Sequence, residues 1–187
     1  VAELRGSFDN ATVSPTNSIA LTSLTLQDNC VVRGGDIGTK VTSLVLKEGI
    51  SLYGCLINPD TVTAASTEKR ISLIGCFGDS DTAGTLTIAA PGTVIQGCQN
   101  IFDISLSSTA DGSIVSGNFI GAAAGGGAGT ITIDSGADNC TVVGNRTDAA
   151  IVDNATNCTV AANTLDSGAA TQPWAATNID NWTPAGG

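Results

Sequence analysis

Carboxylates and thiols are the side chains through which this chain could do chemistry, because its 187 residues hold 17 Asp and Glu, six Cys and no His. Without an imidazole there is no Ser-His-Asp triad, no histidine base and no histidine-held metal. Asp79, Asp81, Asp148 and Asp166 are the acids to weigh as a glycosidase pair. Such a pair needs two carboxyls roughly 5 to 9.5 Å apart in a groove lined by aromatic rings. The chain offers one Tyr, four Phe and two Trp. Asp79, Asp148 and Asp166 also share one offset with Asn58 after a recurring dipeptide, which fits turns whose side chains accept backbone N–H bonds. Turn-making is therefore the expected role of these acids. Asp79 and Asp81 do not complete the six or more oxygens of a calcium site. Arg33, Lys69, Arg70 and Arg146 stand beside no acid cluster and are expected to be solvated surface charge.

The balance of charge narrows the field further. Seven Lys and Arg against 17 acids give a net charge of −10, so nothing is available to neutralise a phosphate backbone and no nucleic-acid partner is expected. No apolar run approaches the roughly 18 residues of a membrane span, and the first ten residues hold no apolar signal region, so a soluble protein with no membrane contact is expected. Val1 at the head of a chain without Met matches what removal of an initiator would leave of a complete short product. With 23 Gly, 13% charged residues, 4% aromatics and abundant Ser and Thr, the composition is that of an all-β protein.

A repeat must position whatever site exists. Aligning Gly34-Gly35, Gly54-Cys55, Gly75-Cys76, Gly97-Cys98, Gly117-Asn118, Gly144-Asn145 and Ala162-Asn163 yields seven units spaced 18 to 27 residues apart, the period of a solenoid. Three residues before each anchor stands an aliphatic: Val32, Leu52, Leu73, Ile95, Val115, Val142 and Val160. Five before it the residue is small or apolar, from Cys30 to Cys158, so these two positions share the inner face of a strand. The position between them points outward. A second strand per unit alternates with period two upstream, at Ser23–Leu26, 42–46, Thr85–Ile88, 102–106 and 130–133. Short strands that repeat their inward residues on the next unit make a right-handed parallel β-helix of about seven coils with terminal caps.

Within that frame Cys55, Cys76 and Cys98, then Asn118, Asn145 and Asn163, form one structural ladder. Asn in register can pass amide hydrogen bonds from coil to coil, and Cys is small enough for the same corner. Neighbouring coils place Cα atoms ~4.8 Å apart but keep parallel Cβ atoms wider than the ~3.8 Å a disulfide prefers. Free stacked thiols are expected, in keeping with a reducing cytoplasm. No Cys-x-x-Cys pair supports zinc, and no cofactor is expected.

Asn139-Cys-Thr-Val-Val-Gly-Asn145 and Thr156-Asn-Cys-Thr-Val-Ala-Ala-Asn163 resemble the coils of the pectate-lyase-like right-handed β-helix superfamily, and among them those of bacteriophage tailspikes, fibres and other virion surface proteins. The resemblance covers residues 18–166. Lyases of that superfamily use an Arg or Lys base beside acid-bound calcium, a constellation not visible here. What the resemblance implies is a non-enzymatic virion structural protein: a homotrimeric capsid decoration, or cement, protein on the virion surface, assembled in the host cytoplasm beside partners such as the major capsid protein. The rivals are a receptor-binding β-helix of a tail fibre or tailspike taking a host-surface glycan, then a polysaccharide-degrading enzyme.

A solenoid must also close its ends. Residues 1–17 are expected to be an arm or cap, 18–166 the β-helix, and 167–187 a cap or interface tail carrying Trp174 and Trp182. Outward Val31, Val94 and Ile114, with Ile74 and Val143, point to an interface with another chain. Residues 58–69 and 121–129 read as inserted loops. Thr-x-Thr occurs at Thr85 and Thr130, pairs that do not fall on consecutive coils, which counts against an ice-binding solenoid.

Overall fold

The computed structural model describes residues 2–9, 12–13, 21–37, 41–78, 84–99, 103–121 and 129–165. All regular structure among them is β, arranged as three sheets that wrap one core. The first sheet stacks Ala2–Leu4, Leu21–Leu26, Val41–Leu46, Thr61–Ala64, Thr85–Ile88, Asp103–Leu106, Ile131–Ile133 and Val152–Asp153. The second stacks Ser7–Asp9, Val31–Arg33, Ser51–Tyr53, Ser72–Ile74, Val94–Gln96, Ile114–Ser116, Thr141–Val143 and Thr159–Ala161. The third runs from Thr12–Val13 through Asp36–Ile37, Leu56–Ile57 and Phe77–Gly78. It crosses Gln99, which bridges Phe77 to Phe119, and continues in Phe119–Ile120, Arg146–Thr147 and Thr164–Leu165. Each strand pairs in parallel with its equivalent in a neighbouring coil, giving a parallel β-solenoid of about seven turns.

Alternation decides which side of each strand is buried. In the first sheet Leu24, Leu44, Val62, Leu86, Ile104 and Ile131 align in one inward column, and Leu26, Leu46, Ala64, Ile88, Leu106 and Ile133 in the next. All are buried. The second sheet contributes Val32, Leu52, Leu73, Ile95, Val115 and Val142, and the third Ile37, Ile57 and Ile120. A side chain of this kind stabilises by about 1.5–3 kcal/mol when fully buried. Here each is covered only because the next coil repeats it.

The outward residues of the first sheet also fall in two columns. Ser23, Ser43, Thr61, Thr85 and Asp103 form one, and Thr25, Val45, Thr63, Thr87, Ser105 and Thr132 the other. This register corrects two sequence-based expectations. Residues 58–69 are not an inserted loop, because Thr61–Ala64 is an ordinary strand paired with Ser43–Leu46 and Thr85–Ile88; its inward pair, Val62 and Ala64, is too small to stand out in the sequence. Thr61-Val62-Thr63 therefore directly precedes Thr85-Leu86-Thr87, so Thr-x-Thr pairs do fall on consecutive coils.

At the other ends of the chain, Ala2–Leu4, Ser7–Asp9 and Thr12–Val13 pair with Leu24–Leu26, Val31–Arg33 and Asp36–Ile37, and so cover the first full coil by continuing its sheets. Most of the expected 121–129 insertion, and residues 167–187 with Trp174 and Trp182, lie outside the described residues.

The corner between the second and third sheets needs a left-handed residue. Six coils meet this with glycine, from Gly34 (φ 65°) to Gly144 (φ 66°), whereas the last uses Ala162 at φ 54°. A Cβ in that region is strained. Ala162→Gly is accordingly expected to stabilise the final coil by about 0.5 kcal/mol, the relief of strain exceeding the added chain entropy; a slower amide exchange at Asn145 and Val160 checks this.

Candidate functional site

The glycine turn delivers the following residue into the core, and the ladder is built there. Asn118 and Asn145 are buried and Asn163 is half-buried near the end of the described stack. Asn118 Nδ2 donates to Asn145 Oδ1 at 2.9 Å, and Asn145 Nδ2 to Asn163 Oδ1 at 3.0 Å. Each Oδ1 also accepts the backbone N–H one coil back: Cys98 N to Asn118 at 2.9 Å, Asn118 N to Asn145 at 3.0 Å, and Asn145 N to Asn163 at 2.9 Å. The amides reach back as well, to the carbonyls of Ile95, Val115 and Val142. The cysteine half repeats that last contact. Cys55, Cys76 and Cys98 Sγ each lie 3.5 Å from the equivalent carbonyl, that of Val32, Leu52 and Leu73. Thiol and amide thus fill one corner because both send a donor to the same carbonyl one coil back.

All six cysteines are free, and five of them are buried. Interaction with Cys76, then burial, pushes Cys55 and Cys98 up, while Cys76, between those two thiols, is drawn down. Cys30, Cys140 and Cys158 occupy the other inward column of this region, and burial raises all three, Cys140 to about 11. Burial favours the neutral thiol, so the folded state keeps its proton to higher pH than the unfolded chain. The contribution of these three thiols is therefore whole below pH 9 and expected to fall as pH rises from 9.0 through about 11, by about 2 to 3 kcal/mol from Cys140 alone. Thermal melts at pH 8 and pH 10.5 check this; Cys140→Ala should reduce the difference by the Cys140 share, and an unchanged difference would contradict the assignment.

The acids are not brought together. Asp79, Asp81 and Asp166 lie outside the described residues, and Asp148 sits at a turn where its N–H donates to Ile120 O at 3.2 Å and Gly129 O at 3.0 Å. Among the described residues no group of three His, Cys, Asp or Glu is placed to hold a metal ion, and no helix is long and apolar enough to cross a membrane. The cations serve the surface. Arg33 Nη1 lies 3.5 Å from Asp9 Oδ1 and 3.3 Å from Ser7 Oγ, and its guanidinium carbon is 5.7 Å from the centre of the Tyr53 ring. Arg70 pairs with Glu48 at 2.8 Å, Lys69 is exposed, and Arg146 lies 4.9 Å over Phe119. Such exposed pairs contribute little.

What distinguishes the outer surface is apolar. Along the second sheet Val31 and Val94 are half-buried between their neighbours, and Ile114 is 40% exposed. Two aromatic residues that the repeat pattern does not mark join them: Tyr53 at 37% and Phe77 at 45% exposure, on consecutive coils beside the Gly-Cys corners. Their signal was their offset, two residues before Cys55 and one after Cys76, where the chain turns outward. Comparison with known proteins returned no matching family model, curated protein or solved structure.

Proposed function

We propose that this solenoid is a non-enzymatic assembly protein of a virion surface: a homotrimeric decoration of a bacteriophage capsid exterior, assembled in the host cytoplasm and seated on the major capsid protein. The observation that carries the reading is the set of outward apolar side chains on the second sheet and its corner, Ile114 beside Val94, and Tyr53 and Phe77 on consecutive coils. A solenoid whose inner columns already absorb its aliphatics gains nothing from such residues as a monomer, whereas a neighbour covering them removes apolar area from water. Closed symmetric assembly gives the same patch on each chain a partner.

Light scattering over a concentration range tests it. A trimer has three times the 18.5 kDa of the chain, and Val94→Lys with Ile114→Lys should return it to the monomer mass with the fold intact by circular dichroism. A wild-type monomer at every concentration would sink the proposal.

A receptor-binding role in a tail fibre or tailspike has one observation of its own. The ring of Phe77 lies one coil from the exposed amide of Gln99, and that of Tyr53 two coils from Gln96 in the adjacent column, a combination suited to stacking on and hydrogen-bonding a host-surface glycan. Glycan-array binding lost in Phe77→Ala but kept in the monomeric variant would favour this second reading.

A further inference from the structure

We infer that the outward face of the first sheet is an ice-binding plane, a surface whose ligand is ordered water. The two outward columns of this sheet run in register from coil to coil, and apart from Val45 and Asp103 every residue from Ser23 to Thr132 in them is Ser or Thr. Preference of Thr for strands does not by itself produce this. The second sheet has the same strand geometry and the same solvent, yet its outward residues are mixed, with Val31, Tyr53, Ile74, Gln96 and Ile114 among them. Selection for a solvated β surface would have treated both faces alike.

Charge points the same way. On a chain with a net charge of −10, this run of the two columns carries a single acid, Asp103, and no cation. A face so nearly neutral matches a neutral ligand and not a charged glycan or a basic partner. The hydroxyls are also in hand. Thr61 and Thr130 turn theirs back onto the carbonyls of Thr42 and Ala150, but among the described residues those of Thr63, Thr87 and Thr132 make no bond within the protein.

Spacing then selects the ligand. Columns repeat about every 4.8 Å across coils, and the two columns stand roughly 6.7 Å apart along each strand, a regular two-dimensional grid whose shorter spacing is close to an oxygen repeat of hexagonal ice. Each Thr presents a methyl that excludes liquid-like water and a hydroxyl that replaces a lattice position. Flexible glycans need stacking rings, and this face has none.

Ice itself is the probe. The purified chain should concentrate into slowly growing polycrystalline ice and restrict the growth of small crystals. Thr87→Tyr, in the middle of the grid, should lose that partition, and Thr63→Val, which keeps the shape, should weaken it. Ser72→Tyr on the second sheet should retain it. Melting curves confirm that each variant is folded. A wild-type chain left in the liquid like an ordinary solute overturns the inference, and so does partition that survives in Thr63→Val together with Thr87→Tyr.

Discussion

Replacing Asn145 with leucine is expected to destabilise the protein by about 4 kcal/mol, the largest loss from any single polar substitution in the described stack. Asn145 is 1% exposed and its side chain makes four hydrogen bonds. Its Nδ2 donates to Val115 O at 2.9 Å and to Asn163 Oδ1 at 3.0 Å, and its Oδ1 accepts from the backbone and side chain of Asn118 at 3.0 and 2.9 Å. Leucine leaves a carbonyl and two donors buried without partners, at about 1–3 kcal/mol each, and recovers only part of that through its apolar surface. Asn163→Leu makes the internal control. It removes three such bonds, one of them shared with the Asn145 side chain, from a half-buried position where water can replace them, so it should cost less than half as much. Urea titrations of both variants decide the matter; equal midpoints for Asn145→Leu and wild type would show that the ladder fills space and carries no hydrogen-bond energy.

The reason this ladder could be read in the sequence is that it repeats. A residue that must touch its own equivalents one coil away is constrained at every turn, so Cys55, Cys76, Cys98 and the three Asn stand out at one offset, as do the aliphatics from Val32 to Val142. The strand at Thr61–Ala64 hid because its inward residues are small: a burial signal carried by Val62 and Ala64 is weak against Leu44 and Leu46 in the coil before. The outer surface is legible for the opposite reason only in part. An outward residue has no obligatory partner, and Tyr53 or Phe77 taken alone is an ordinary turn-flanking residue until the stacking sets them on consecutive coils. The Thr and Ser columns likewise needed the register of Thr61 against Ser43 and Thr85 before they became a surface. Function on a solenoid is written across coils, while the chain is read along them.

Leu73→Ala is the second large effect, and its form matters as much as its size. Leu73 is buried in mid-stack, in register between Leu52 and Ile95, with Cys98 Sγ 3.5 Å from its carbonyl. Truncating such a leucine costs about 2.7 to 5 kcal/mol, because flanking coils tied by backbone ladders cannot collapse onto the void. A solenoid is held together by contacts between neighbours, so a cavity here weakens one junction and leaves the rest intact. The variant should therefore unfold in two steps, the coils after Ile95 separating from those before Leu52, where the wild type unfolds in one. Val160→Ala, in the half-buried last coil, should cost about 1 kcal/mol and leave a single transition. Hydrogen exchange resolves the two halves directly. A single transition in Leu73→Ala, with protection lost uniformly from Leu24 to Val142, would mean that the stack is cooperative over its whole length, and that the outer faces proposed for assembly and for ice are held as one rigid body.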